Sequence, residues 1–177
     1  RIMPLFNVLL LLFQYLQRER FYMKQYNNRW FVFGLEEYET KSFISTKALD
    51  RVISVFATNE PFKANTTIDY NTYFDDIVGV TKPLPEVNKE YIVLRFSEQR
   101  YPYVTSKPIH KSQQIVSEDE FTISLNVRPN RELQQQLFSF GPDVEVLSPN
   151  WLREDFLKRI EENRNNYMRE QNLDEHN

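Results

Sequence analysis

Five short segments rich in aromatic or β-branched residues follow one another in the first third of the chain, each bounded by polar turn residues. Segments of this kind predict β-strands, and five at this spacing predict a small β-barrel. They cover residues 11–17, 20–26, 29–35, 41–46 and 51–56. Leu5, Leu9 and Leu12 follow a helical period, so a short helix is expected before the first strand.

Polar and proline-rich residues replace this pattern at 63–90, where the only helical signal lies at 71–77. Strand and helix signals then alternate in the order βαββαβ, which is typical of a ferredoxin-like domain. The predicted fold class is therefore α+β. The predicted organisation is a barrel with a short N-terminal helix at 1–62, a linker with a docking helix at 63–88, a ferredoxin-like domain at 89–165 and a frayed tail at 166–177.

The clearest helix signal lies at 130–141, where Asn130 can cap the first turn and Gly141 can end the helix. A strand is predicted at 143–147, and Ser148-Pro149 can open a second helix. Leu152, Phe156 and Ile160 share one stripe of that helix, which we expect to be buried.

Composition excludes several kinds of site. The chain has 177 residues, a formal net charge of −3, no cysteine, 2 histidines and 3 glycines. These counts exclude disulfides, cysteine-based zinc sites and glycine-rich phosphate loops, and we expect no metal or cofactor. The apolar stretch at 3–16 is interrupted by Asn7 and Gln14 and falls short of the roughly 20 residues of a membrane span, so a cytoplasmic protein without a membrane partner is expected.

An ordered series of motifs resembles the WYL domain of bacterial transcription regulators and the WCX extension that follows it. Trp30-Phe31-Val32 stands where the family has Trp-Tyr-Leu, and Leu49-Asp50-Arg51-Val52 stands where it has Leu-Asp-Arg-Ile. Further similar segments are YFDDIVGV at 73–80, YIVLRF at 91–96, PIHKSQ at 108–113 and VEVLSP at 144–149. The resemblance implies an Sm-like (SH3-like) barrel and a ligand-sensing role.

Arg51 is the first candidate ligand contact. The resemblance implies that this cation points out of the barrel sheet and binds an anionic ligand, whereas the alternative is an ion pair with Asp50 or another acid. Neighbouring residues of a regular strand face opposite sides, so Asp50 is poorly placed as its partner. Phe31 keeps an aromatic face for stacking but lacks the hydroxyl of the family's Tyr, and it could equally be a core residue. Trp30 and Val32 are expected in the barrel interior.

Arg20 and Lys24 share one strand face with Tyr22 and Tyr26 if the strand is regular. Interleaved basic and aromatic side chains suit single-stranded nucleic acid or a nucleotide, although a solvated outer face is an equal alternative. His110 is a further candidate at a groove. A histidine with a structural hydrogen bond is the more common case.

These observations favour a ligand-sensing and dimerisation region of a transcription regulator, not an enzyme. The expected partners are a nucleotide or short single-stranded nucleic acid, a second copy in a homodimer, and DNA through a helix-turn-helix that the sequence does not contain. The alternative is a stand-alone interaction module that modulates a nuclease or defence complex. No nucleophile, base and orienting group converge in the sequence, so catalysis has little support.

Overall fold

A computed structural model describes residues 22–38, 41–54, 66 and 68–174, with the backbone alone at 35–38, 41–43 and 170–174. The chain divides into two compact units. The N-terminal unit comprises the chain up to Phe74 together with Gly79–Thr81. The C-terminal unit comprises Asp75–Val78 together with the chain from Lys82 onward. The predicted helix and strand before Tyr22 lie outside the described residues.

The N-terminal unit contains an antiparallel sheet of β1 (Tyr22–Tyr26), β2 (Arg29–Tyr38) and β3 (Lys41–Ala48), in that order. A two-residue turn joins β1 to β2, and its residues Asn27 and Asn28 have φ angles of 47° and 59°. Such turns require positive φ at both positions, which asparagine tolerates better than most residues. Three of the five predicted strands are therefore confirmed.

The predicted strand at 51–56 is wrong at its start. Leu49–Arg51 form a short 3-10 helix, closed by a bond from the Val52 amide to the Leu49 carbonyl, and residues 52–54 are irregular. The apolar alternation of this segment fits a strand, but the backbone at its start forms a local hydrogen bond between Val52 and Leu49. Within the described residues, β1 to β3 form an open sheet and no closed barrel is present.

An aromatic cluster covers one face of this sheet. The Tyr22 ring stacks on that of Tyr70 with centroids 4.8 Å apart, and Phe33 meets Phe74 edge to face at 4.9 Å. Residues 70–76 form successive turns in place of the predicted docking helix. Burial of Tyr70 and Phe74 against the sheet stabilises these turns, whereas an isolated helix of seven residues has too few internal hydrogen bonds to be stable.

The described part of the C-terminal unit contains four strands and three α-helices. Its elements are β4 (Glu90–Phe96), α1 (Tyr101–Ser106), β5 (Gln114–Ser117), β6 (Thr122–Val127), α2 (Arg131–Ser139), β7 (Val144–Ser148) and α3 (Asn150–Asp174). The strands form an antiparallel sheet in the order β5-β6-β4-β7. The described chain is thus α+β, with one sheet of three strands and one of four.

The core of this unit lies between one face of the sheet and the helices. It includes alternate residues of β4 and β6, together with side chains of α2 and α3. The Asn130 side chain accepts a hydrogen bond from the Leu133 amide at 2.9 Å, and Gly141 adopts φ 57°, so both predicted ends of α2 are confirmed. Leu152 and Phe156 are buried as predicted, but Ile160 is 53% exposed.

The part of the predicted tail that the structure describes belongs to helix α3. Helix α3 continues to Asp174, and its residues from 157 to 169 are exposed. Ion pairs between Arg159 and Asp155 and between Arg164 and Glu161 connect successive turns of this helix. Pairs at this spacing favour the helical state.

Candidate functional site

Arg51 ends the 3-10 helix that follows β3, and its side chain is exposed. The neighbouring Asp50 is engaged elsewhere, because its carboxylate lies 3.0 Å from the guanidinium of Arg29. Within the described residues, Arg51 makes no ion pair or hydrogen bond through its side chain. The local ion pair that competed with the ligand hypothesis is therefore formed by Arg29, and Arg51 keeps its charge accessible to solvent.

Two of the other candidates lie in one row across the sheet. Lys24 of β1 is the cross-strand partner of Phe31 in β2, and Phe31 is in turn the partner of Ala48 in β3. The 3-10 helix that ends with Arg51 begins immediately after Ala48. The fold thus connects the row of Lys24 and Phe31 directly to the segment that carries Arg51.

The charge of Lys24 is directed at the aromatic cluster. Its ammonium lies 4.0 Å from the centre of the Phe74 ring, which is a favourable cation–π distance. Phe31 is only partly buried. Lys24 therefore contacts Phe74 and also lies beside the partly buried Phe31. The sheet face that it shares with Tyr22 is packed against aromatic rings and is not an entirely solvated face.

The phenol of Tyr70 in the aromatic cluster is uncharged. Burial, with a smaller contribution from the nearby Tyr73, raises the pKa of Tyr70 above its usual value. Its hydroxyl is buried and lacks a hydrogen-bond partner among the described residues. A phenol in this position remains uncharged at neutral pH, so the buried cluster places no anion beside Lys24.

Several apolar side chains of this unit are exposed. Trp30 is 42% exposed although the alternation of β2 predicted an interior position, whereas Val32 is 4% exposed as expected. Ile53, two residues beyond Arg51, is fully exposed. Trp30 lies at the start of β2, opposite Gln25 near the β1–β2 turn, where the sheet edge covers less of the side chain.

His110 belongs to the C-terminal unit and is held by local hydrogen bonds. Its Nδ1 accepts from the Ser112 amide at 3.1 Å and lies 2.8 Å from the Ser112 hydroxyl. That hydroxyl in turn accepts from the Asn126 amide at 2.9 Å. The imidazole thereby joins the loop before β5 to strand β6. Arg20, the remaining candidate, lies outside the described residues.

A polar network in the C-terminal unit escaped the sequence analysis. The Arg128 guanidinium donates to the carbonyls of Val87 at 2.7 Å and Leu84 at 2.6 Å, and it lies 3.7 Å from the Asp76 carboxylate. Burial opposes ionisation of Asp76, but its hydrogen bond and ion pair with Lys82, with Arg128 nearby, lower its pKa overall. Arg128 thus fastens two irregular segments to the end of β6.

The described residues contain neither a candidate metal cluster nor a membrane-spanning helix. In the part of the chain that the structure describes, no three histidine or acidic side chains converge as metal ligands would. Among the helices described, none is both long and apolar enough to cross a bilayer.

The WCX domain family model matches residues 88–162, which is less than half of the chain. The match begins just before β4 and ends within α3, so it covers the four-stranded sheet. It supports a regulator family of the WYL/WCX type and is consistent with a regulatory module of such proteins. No curated protein matches the chain.

Proposed function

We propose that this chain is the ligand-sensing and dimerisation region of a bacterial transcription regulator of the WYL type. The observation that carries the proposal is the exposed Arg51, which follows a three-stranded sheet and precedes a segment that matches the WCX domain. In this proposal the ligand is a nucleotide or a short single-stranded nucleic acid, and its binding controls attachment to DNA.

The two sheets support the corresponding domains. Strands β1 to β3 supply the open sheet from which an Sm-like WYL barrel would be built. The order β5-β6-β4-β7, with α1 and α2 between the strands, is the order expected of a ferredoxin-like domain. The proposal therefore assigns sensing to the N-terminal unit and transmission to the C-terminal unit.

Each proposed contact has a separate chemical task. Arg51 binds a phosphate through its planar guanidinium, which can donate two parallel hydrogen bonds. Phe31 stacks against a base, and Lys24 adds positive charge beside it. The ligand changes DNA binding only to the extent that it binds two dimer arrangements with different affinity, and the DNA-reading helix-turn-helix would belong to residues other than these.

Fluorescence anisotropy with a labelled single-stranded oligonucleotide tests the site. Arg51→Ala should weaken binding about tenfold or more, since a charged hydrogen-bonded contact is worth about 1.5–3 kcal/mol. Arg131→Ala is the matched control, because Arg131 is also exposed, at the start of α2, and makes no side-chain hydrogen bond or ion pair within the described residues. Equal affinity of wild type and Arg51→Ala, with the fold intact, would refute the assignment.

The alternative function is a protein-interaction module that modulates a nuclease or defence complex without a small ligand. The exposed apolar side chains of Trp30, Val52 and Ile53 favour it, because exposed apolar side chains can supply a protein-binding surface. Under this alternative, Ile53→Asp abolishes capture of the partner complex, and neither oligonucleotide nor nucleotide binds to the wild-type chain.

A further inference from the structure

Helix α3 extends beyond the core of the C-terminal unit. Its Leu152 and Phe156 are buried, whereas all the residues from 157 to 169 are exposed. Four of these exposed residues have large apolar side chains that are each at least 48% exposed: Leu157, Ile160, Tyr167 and Met168. A surface helix usually presents polar side chains to water, so this part of α3 has more apolar surface than its own unit covers.

These apolar side chains lie on one side of the helix together with two charged ones. The α3 stripe is defined by the six residues of that side: Leu157, Ile160, Glu161, Arg164, Tyr167 and Met168. Those at 157, 161, 164 and 168 are separated by four, three and four positions, a spacing that places side chains in one row along a helix. Those at 160 and 167 flank this row on one side. The other exposed positions between 157 and 169 carry lysine, arginine, glutamate or asparagine.

The apolar residues of the α3 stripe match those of a second copy when the two helices are antiparallel. With Leu157 of one copy opposite Met168 of the other, Ile160 of the first copy lies beside Tyr167 of the second. A twofold axis repeats both contacts, so all four exposed apolar side chains of each helix gain an apolar neighbour. This register is regular because α3 is one continuous helix over the whole range.

The charged residues of the stripe favour the same arrangement. In that register Glu161 of each copy lies opposite Arg164 of the other, whereas a parallel pair would oppose two glutamates and two arginines. Within one helix, Arg164 Nη1 already lies 3.1 Å from the Glu161 carboxylate, and both side chains are more than half exposed. A guanidinium has five N–H donors and a carboxylate has two oxygens, so each group can also bind its counterpart in the second copy. Charges at such positions determine the direction and the partner of paired helices.

We propose that α3 pairs antiparallel with α3 of a second copy of this chain through the α3 stripe. The inference deepens the dimerisation part of the proposed function, on which it rests, and it is independent of the ligand. The apolar contacts toward each end of the stripe stabilise the pair, and the four charges at its centre specify the antiparallel direction.

Disulfide cross-linking of the full chain tests the register directly, because the chain contains no cysteine. A Leu157→Cys chain mixed with a Met168→Cys chain should form a mixed disulfide-linked dimer under mild oxidation. Leu157→Cys alone should not, since the two copies of position 157 lie about 16 Å apart along the paired helices and a disulfide joins Cα atoms within about 7 Å. Cross-linking of Leu157→Cys alone at the yield of the mixture would overturn the antiparallel register.

Sedimentation velocity of the full chain at micromolar concentration tests the contribution of the apolar residues. Wild type should be a dimer, and Leu157→Lys should weaken it about tenfold or more, because a charge then enters the paired stripes twice. Leu84→Lys is the matched control, since it is the same substitution at a leucine that is 73% exposed and lies outside α3. This variant should keep the dimer affinity of wild type.

A mixture of two charge variants separates contacts between copies from the ion pair within each helix. Glu161→Arg and Arg164→Glu each lose the pair within the helix and oppose like charges between copies, so each should weaken the dimer severalfold. An equimolar mixture of the two should recover dimerisation, because every altered site then faces an opposite charge in the other copy, although neither helix regains its internal pair. A mixture no more dimeric than the separate variants would overturn the proposed pairing.

The outcomes separate this interface from dimerisation in general. A wild-type dimer that resists Leu157→Lys and gives no mixed cross-link would overturn the α3 interface, and the proposed dimerisation would stand. A wild-type monomer at every concentration would overturn both and would assign the α3 stripe to a different protein. Neither result bears on oligonucleotide binding, which the Arg51 variant tests separately.

Discussion

Arg51 differs from four arginines around the sheet of the C-terminal unit in what its side chain contacts. Around the sheet of the C-terminal unit, four arginines lie within ion-pair distance of a carboxylate: Arg95, Arg100, Arg128 and Arg153. In the N-terminal unit Arg29 is paired with Asp50, but Arg51, one residue further along, has no partner within the described residues. A paired arginine holds a scaffold together, whereas an exposed unpaired one remains available to an external anion.

This difference in pairing distinguishes residues that stabilise the fold from a residue that is available for ligand binding. Pairing satisfies the charges of these four arginines, and the C-terminal unit also contains a buried apolar core. Exposed Arg51 contributes little to folding, because a solvated cation gains almost nothing from the folded state. Substitutions of the paired arginines or of the core in the C-terminal unit should therefore change the free energy of unfolding, and Arg51 substitutions should change ligand affinity.

The largest expected effect is on the core of the C-terminal unit. Leu125 of β6 is fully buried, so Leu125→Ala should lower the free energy of unfolding by about 2–5 kcal/mol through lost burial and a residual cavity. Urea denaturation measures the change. Oligonucleotide affinity should stay at the wild-type value under conditions where the variant is folded, and a parallel loss of affinity would break the division between the units.

Arg128→Ala should have the next largest effect, about 2–4 kcal/mol. The variant leaves the carbonyls of Leu84 and Val87 without their donor and removes a positive charge beside Asp76. Arg128→Lys retains the charge but cannot reproduce the forked donation, so it should recover only part of the loss. A change below about 0.5 kcal/mol, the range expected for the exposed control Arg131→Ala, would show that the network does not support the fold.

Asp76 should make stability dependent on pH in a defined direction. Its pKa is lowered in the folded protein, so its contribution is present above the unfolded value near 3.8 and is lost as pH falls through the folded pKa. Asp76→Asn should destabilise the protein by about 1 kcal/mol at neutral pH. The difference in the free energy of unfolding between wild type and Asp76→Asn should become smaller in acid, as measured by denaturation across a pH series. A gap independent of pH would contradict this account of the pair.

Arg51→Ala should have the smallest effect on folding, within about 0.5 kcal/mol of wild type. The expected result follows from the exposure of the side chain and from the pairing of Asp50 with Arg29. Thermal and urea unfolding measure it. A loss of 1 kcal/mol or more would place Arg51 among the structural arginines and remove the contrast with the C-terminal unit.

Local patterns predicted much of the fold. The period-two alternation of Ile92, Leu94 and Phe96 identified the buried face of β4, and Asn130 with Gly141 identified both ends of α2. These features depend on neighbouring residues and on general preferences for caps and turns. The predicted βαββαβ order was derived from such local patterns.

The errors arose where distant contacts decide the local structure. Residues 71–77 had a helical pattern, but the rings of Tyr70 and Phe74 pack against the sheet of the N-terminal unit. Arg128 looked like an ordinary charge after β6, because its carbonyl partners lie 41 and 44 residues earlier in the chain. Ile160 continued the apolar stripe of α3 past the point where the core ends.

The candidate site was predictable in part. The sequence placed Lys24 and Phe31 in neighbouring strands and argued against Asp50 as the partner of Arg51, while leaving that ion pair as an alternative. The structure adds the cross-strand row and the Arg29–Asp50 pair. The argument against an Asp50–Arg51 pair assumed a regular strand, although Leu49–Arg51 form a 3-10 helix. The conclusion survived because Asp50 finds a partner across the hairpin.

The most direct test is the salt dependence of oligonucleotide binding by wild type, Arg51→Ala and Arg131→Ala. Each phosphate contact releases counterions, so the logarithm of affinity falls linearly with the logarithm of salt concentration. We expect Arg51→Ala to reduce that slope by about one and to weaken binding, with Arg131→Ala indistinguishable from wild type. The same affinity and slope in all three proteins would contradict the assignment of Arg51 as the phosphate contact.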